Sequence, residues 1–352
     1  MQVPRRLVAA VVSLAVMLAC APARASADVP GPLADFQAQL SAFAGRAPGH
    51  VAIAVQDVAT GVMTGINAGA EMPAASTIKI PVMVEVFRQL ENGRFDLNRR
   101  LHLQATDKDW GSGDLCDAAV GGAYPVSQLL SLMIDDSDNT ATNMLIRLVG
   151  RQHINATMDE LGLTHTRLSD FIRSEGPIRW ALRSSPADMA HLLESMAKEQ
   201  LVDEWSSREM VDILREQHIN TLLPQPLPPG TEIAHKTGSL HDTLNDVGIV
   251  YEGQDPYVIA VMTTDLPTLD AGRRFIRGVS RMAYTALGRF ATWREDNDFT
   301  PAFAAATERP AALTPDQRMW APLNAPVAPA AAPVPANAAP NATDPPTPAP
   351  GS

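Results

Sequence analysis

Ala75-Ser76-Thr77-Ile78-Lys79-Ile80-Pro81-Val82 sets a hydroxyl and an amine three residues apart at the head of an apolar run. In a helix, residues at that spacing share a face. A serine at a helix N-terminus also has free backbone N–H groups and the positive end of the helix dipole beside it. Both favour the oxyanion that forms when a serine attacks a carbonyl. Lys79 can ease removal of the Ser76 proton, directly so if burial and neighbouring cations depress its pKa. A capping serine followed by a surface lysine would explain this stretch alone, since Ser-x-x-Lys arises by chance roughly once in a chain of this length. Two later segments, in fixed order, change its weight: Ser137-Asp138-Asn139 and Lys236-Thr237-Gly238.

Working outward, Leu33–Phe43 shows helical apolar spacing, and His50–Val58 and Gly61–Gly69 read as strands joined by a Thr60-Gly61 turn. Ser76 opens a helix to about Leu90, closed by Asn92-Gly93. Helices are predicted over Val126–Asp135, Asn139–Leu148, His153–Leu161, Ser185–Lys198 and Asp203–Gln217. Ser137 reads as an N-cap, and Ser185-Pro186 as an N-cap with proline in the first helical position. After the proline-rich loop Leu223–Gly230 come strands Glu232–Thr237, Asp246–Glu252 and Pro256–Thr263, then a closing helix, Asp270–Leu287. Neither strand group is stable alone, so strands from both ends must pair. The expected fold is α/β of the α+β type, an antiparallel sheet flanked by helices plus an all-helical lobe. One domain is expected over 28–300, with a sheet lobe at 33–70 and 230–290, a helical lobe at 71–229 and the site where they meet.

The three segments, with Ala75–Val82 and Ser137–Ile146, resemble the penicillin-recognising serine enzymes, and class A β-lactamases more closely than the related DD-peptidases. The resemblance spans roughly residues 35 to 290. It implies that Ser76 is the nucleophile, Lys79 its activator and Ser137 the hydroxyl that delivers a proton to the leaving nitrogen. It further implies that Asn139 holds the substrate's amide side chain and that Lys236 and Thr237 hold its acid group. Gly238 would let the substrate lie close to the backbone, and the N–H of Ser239 would join that of Ser76 in an oxyanion hole. The implied substrate is a small molecule, a β-lactam or a D-Ala-D-Ala-type acyl compound.

One family residue is out of place. The glutamate that activates the hydrolytic water in class A enzymes follows a Thr-x-Leu stretch, matched here by Thr166-Arg167-Leu168, yet its position is Ile172. Asp170 and Glu175 are the nearest carboxylates, neither in register. The reading is therefore an exported serine hydrolase that opens β-lactams, with deacylation slowed. A DD-peptidase, another acyl hydrolase or esterase on the same fold, and a penicillin-binding or sensing module that stalls after acylation are the alternatives.

Composition narrows the rest. A net charge of −11 leaves no basic footprint for nucleic acid or an anionic membrane. The eight histidines offer no metal-ligand spacing and no Gly-rich loop stands between strand and helix, so no cofactor is expected. Arg5-Arg6, the apolar Leu7–Ala19 and Ala25-Ser26-Ala27 read as a secretory signal cleaved after Ala27, implying a periplasmic or secreted protein. Lipoprotein processing at Cys20 fits less well behind Met17-Leu18-Ala19. Leu7–Ala19 is too short for a comfortable transmembrane span, and none is expected in the mature chain. Cys116 is then the one remaining thiol, so the expected monomer has no internal disulfide. From Pro310 onward Pro and Ala dominate with too little large apolar surface to offset ordering entropy, which predicts a disordered tail. Truncation after Arg309 is expected to leave the melting temperature and activity unchanged; a loss of several degrees in a thermal melt would show that the tail docks.

Overall fold

A computed structural model describes residues 31–175, 180–252 and 255–299. The signal-like segment, Cys20 and the Pro/Ala-rich tail lie outside the described residues. The elements, in order, begin with α1 (Pro32–Ala44), β1 (His50–Asp57), β2 (Met63–Ile66), β3 (Met72–Pro73) and α2 (Lys79–Glu91). Next come β4 (Arg100–His102), β5 (Ala123–Pro125), α3 (Val126–Ile134), α4 (Asn139–Val149), α5 (Arg151–Glu160), β6 (Arg167–Leu168) and β7 (Leu182–Ser184). The chain continues through α6 (Pro186–Ala197), α7 (Glu204–Arg215), β8 (Glu232–Ser239), β9 (Leu244–Glu252), β10 (Asp255–Thr264) and α8 (Leu269–Asp296).

The main sheet has the order β2-β1-β10-β9-β8, antiparallel throughout. The first and last strand groups therefore interleave, with β1 beside β10. Side chains alternate between the faces with period two. Ala52, Ala54, Val258, Ala260 and Met262 face the core shared with the helical lobe, while Val51, Ile53, Val55, Ile259 and Val261 face α1 and α8. Covering both faces is what makes the strands read as nearly continuous apolar runs.

Helix α2 is buried along most of its length, from Lys79 to Phe87, and contacts α4, α5 and α7. Its polar residues inside the core are satisfied locally: Glu85 accepts from Gln89 Nε2 at 2.6 Å and from the Thr157 hydroxyl. Burial raises the Glu85 pKa, against the pull of those bonds.

Four local readings change. The second strand is shorter than Gly61–Gly69, because Asp57 gathers Thr60 N at 2.7 Å and Gly61 (φ 70°) turns the chain tightly before Met63. Ser76 stands in a 3-10 turn, Ala75–Ile78, ahead of the α-helix rather than within it. The N-cap of α4 is Asp138, whose carboxylate accepts from Ala141 N at 2.7 Å, and not Ser137. Helix α8 runs nine residues beyond Leu287, to Asp296, because Phe290 stays buried and Arg294 grips Asp57 with two bonds of 3.0 Å. The expected caps at Ser185-Pro186 and Asn92-Gly93 are present.

Ile259 is fully buried at the centre of the face packed by α1 and α8. Ile259→Ala is expected to cost about 2–5 kcal/mol in urea unfolding, the range for emptying a core site, while leaving acylation kinetics unchanged.

Candidate active site

The turn that carries Ser76 is clamped between strands. Asn245 on β9 donates its amide to Pro73 O at 2.8 Å and Ala74 O at 3.1 Å, and its Oδ1 accepts from Thr263 N at 2.9 Å. Ala75 takes a left-handed conformation (φ 49°) just before the serine. On the other side β8 presses against the turn. A Cβ on Gly238 would stand 3.0 Å from both Ala74 O and Ser76 N. Glycine at 238 is thus required by this backbone approach, a reason distinct from the substrate clearance that the sequence suggested.

Behind the turn, Lys79 is fully buried. Its Nζ lies 2.6 Å from Ser137 O, 2.8 Å from Asn139 Oδ1 and 3.1 Å from Ser137 Oγ. Ser137 adopts φ 55°, which brings both its carbonyl and its hydroxyl to that amine. Lys236, also fully buried, reaches the same Ser137 Oγ at 3.1 Å and bonds Thr237 O at 3.1 Å.

Two ammonium ions in a dry site repel each other strongly. Burial, then the charge of Lys236, holds the Lys79 pKa well below the usual lysine value, with Asp138 and Asp109 pulling the other way. Burial brings Lys236 down to about 7, against the pull of Asp246 and Asp135. Lys79 Nζ donates to Ser137 O and Asn139 Oδ1, and its third direction meets the Ser137 hydroxyl, with which a neutral amine can exchange a proton.

Ser76, Ser137, Asn139, Thr237, Gly238 and Ser239 line one cavity of ≈ 490 Å³, with Lys79 and Lys236 buried behind its wall. Ile172, Leu182, Ile219 and Leu240 give it apolar patches. Such a mix of apolar lining and a few convergent polar groups suits a small organic ligand. Among the described residues no cluster of His, Cys, Asp or Glu could hold a metal ion.

Ile172, at the position where the resemblance implied a glutamate, lines the same cavity. Asn143 accepts from Ile172 N at 2.8 Å and donates to Ile172 O at 3.0 Å. This grip presents the Ile172 side chain, 5% exposed, to the cavity. Neither Asp170 nor Glu175 lines the cavity; Asp170 is exposed and pairs with Arg151 at 3.4 Å. Asp242 is the one carboxylate among the described lining residues.

Asn245 and Asp109 went unread in the sequence. Asp109 accepts from Asn139 Nδ2 at 2.7 Å, Gly111 N at 3.0 Å, Ser174 N at 2.6 Å and the Ser174 hydroxyl. Burial raises its pKa, but these bonds prevail and hold the carboxyl below its usual range. Within Asp107-Lys108-Asp109 it looks like any charged loop residue.

This arrangement has counterparts. Residues 35–287 match the family model described as the β-lactamase enzyme family. β-Lactamase CTX-M-8 of Citrobacter amalonaticus is 24% identical over 273 residues, 75% of this chain and 90% of that protein. The structure of PBP-A superposes with a TM-score of 0.69 at 31% identity, covering 74% of this chain and 99% of that one. A PBP-A variant bearing glutamate in place of a leucine, solved as an acyl-enzyme with penicillin G, superposes equally well at 0.69. A β-lactamase from Sphaerobacter thermophilus DSM 20745 gives 0.67 at 32% identity, covering 72% and 97%. With its interleaved sheet, its helical lobe and a serine turn backed by two buried lysines, the chain belongs to the β-lactamase enzyme family.

Proposed function

We propose that the chain is a penicillin-reactive serine hydrolase that acylates readily and deacylates slowly. The observation that carries this reading is the pairing of a lysine poised as a base, Lys79, with an isoleucine at the loop position facing the acyl group. In the proposed reaction Ser76 Oγ attacks the lactam carbonyl while its proton passes to Lys79. The oxyanion is received by the N–H groups of Ser76 and Ser239. As the C–N bond breaks, the Ser137 hydroxyl gives its proton to the ring nitrogen and takes one back from Lys79 Nζ, 3.1 Å away, which returns Lys79 to its neutral form. Asn139 holds the acyl amide, and Lys236 with Thr237 holds the carboxylate; the Ser137 hydroxyl between the two amines joins both tasks. The ester on Ser76 then meets Ile172 where a carboxylate would activate water. The PBP-A comparison, in which a glutamate variant was solved as a penicillin G acyl-enzyme, supports this substrate class.

A DD-peptidase or penicillin-binding role uses the same acylation machinery, and Ile172 favours it over rapid β-lactam turnover. On the signal-like residues 1–27, we place the protein outside the cytoplasm.

Intact-mass spectrometry after adding penicillin G is expected to show a persistent adduct on the peptide carrying Ser76. Ser76→Ala should abolish it, and Lys79→Ala should slow its formation by about 100-fold or more. Ile172→Glu is expected to speed loss of the adduct by about 10²–10⁴-fold, the scale of a general base. An adduct on Ser76→Ala would disqualify this nucleophile, and rapid wild-type turnover of nitrocefin would remove the slow step.

The rate constant for acylation is expected to be bell-shaped with pH. It rises as Lys79 loses its proton, and falls as Lys236 loses the charge that holds the substrate carboxylate, near its pKa of about 7. Lys236→Arg keeps that charge at all accessible pH, so the alkaline limb should move upward by more than one unit. A limb that stays in place would assign it to another group.

A further inference from the structure

Asn139 can do its work only in one orientation. Its carboxamide has one oxygen and one nitrogen, and a half-turn about the last bond exchanges them. In the structure the oxygen faces Lys79 Nζ at 2.8 Å and the nitrogen faces Asp109 Oδ1 at 2.7 Å. The acceptor on Asp109 permits no other choice, since a flipped amide would set oxygen against carboxylate and N–H groups against the amine. The nitrogen has a second hydrogen, whose remaining contact is a long 3.5 Å approach to Ser174 Oγ, and Asn139 lines the cavity. Asp109 can therefore hold the carboxamide while leaving one N–H for a ligand.

Asp109 itself is locked. Its carboxylate has about four lone-pair directions. Oδ1 accepts from Asn139 Nδ2, Gly111 N and the Ser174 hydroxyl, and Oδ2 accepts from Ser174 N. Thr140 Oγ1 accepts from Asp109 N at 3.1 Å and fixes its backbone to α4. Gly111 is needed here, because a Cβ there would collide with the Ser174 side chain. With Oδ1 fully engaged and Asp109 not among the residues that line the cavity, this carboxylate is not placed to activate a water at the site. Its remaining action is electrostatic and orientational.

We propose that Asp109 is a positioning residue for acylation: it pins the Asn139 amide oxygen on Lys79 and sets a negative charge behind that amide, facing the amine. This rests on the reading of Lys79 as the base that activates Ser76. The charged groups that bear on Lys79 are Lys236 from β8, Asp138 at the head of α4 and Asp109 from the loop between β4 and β5. Among these, Asp138 and then Asp109 oppose the depression that burial and Lys236 impose. Removing its charge makes Lys79 harder to protonate, so the acid limb of acylation moves to lower pH.

The test compares Asp109→Asn and Ser174→Ala in the full chain. It uses penicillin G acylation followed by intact mass across pH, and isotope-edited NMR of the Lys79 ε-methylene without ligand. Asp109→Asn is expected to slow acylation by about 10- to 100-fold, the cost of misplacing a reacting group. It should also lower the Lys79 titration midpoint by about half a unit or more, as loss of a nearby opposite charge requires. Ser174→Ala removes the hydroxyl bond to Asp109 but keeps the backbone N–H bond, the charge and the Asn139 contact, so the midpoint should stay where it is. A midpoint unmoved in Asp109→Asn, or moved equally in both variants, overturns the proposal. Should Asp109→Asn fail to fold, Asp109→Glu carries the test: the midpoint should stay near the wild-type value, and a fall of half a unit or more overturns the proposal. Wild-type protein that never acylates would instead defeat the reading of the reaction, and the NMR titration still decides the role of Asp109.

Discussion

Two amines buried against a single serine hydroxyl set the terms for the rest of this site. Ser137 Oγ lies 3.1 Å from both Lys79 and Lys236, and neither lysine reaches solvent. A buried ammonium is tolerable only with partners, and two side by side are not. The fold answers by distributing carboxylates around the pair, Asp138 and Asp109 on one side and Asp246 and Asp135 on the other. The charge of Lys236 adds to burial in depressing Lys79, while Lys236 itself titrates at about 7 and so carries charge up to neutrality. The left-handed backbone at Ser137 serves the same end, since an extended residue could not offer two oxygens to one amine. Non-glycine residues pay about 1–3 kcal/mol for such conformations, which the capped helix start behind it helps sustain.

How much of this could be read beforehand follows from the range of the interactions involved. Ser76 and Lys79 announce themselves because three residues of spacing nearly fix their relation, whatever else the chain does. Ser137-Asp138-Asn139 and Lys236-Thr237-Gly238 are similarly self-contained. Their helix and strand contexts were legible from apolar periodicity, as was the pairing of early and late strands. The cap of α4 was misassigned because serine and aspartate are nearly equivalent caps, and only the backbone turn at Ser137 separates them. Asn245 and Asp109 had no local sign. Each works through partners far along the chain, Asn245 on the turn before Ser76 and Asp109 on Ser174, and no spacing rule links such pairs. The two- and three-residue strands β3 to β7 were missed for want of a period to detect.

The loop at Ile172 shows the opposite case, a position whose frame is kept while its chemistry differs from what the resemblance implies. Asn143 reads both backbone groups of that residue and is indifferent to its side chain. The frame holds whatever stands at 172 toward the acyl group. In the proposed reaction, acylation and deacylation are thereby separable: the first draws on the network around Lys79 and Ser137, the second on the side chain at 172, which the Asn143 grip leaves free to vary.

The interleaved sheet has a further consequence for how the molecule comes into being. The turn bearing Ser76 is finished by Asn245 and by the bare backbone at Gly238, and both enter the ribosomal tunnel more than 150 residues after Ser76. β1 must likewise wait for β10 before the sheet can close. Such long-separation contacts are gained late, because loop closure must precede the stabilisation they bring. A nascent chain lacking its last strands carries the serine and its lysine but no formed reaction centre. Under the proposed reaction, reactivity toward an acyl donor switches on with completion of the sheet, so a chain lacking its last strands is not yet open to acylation.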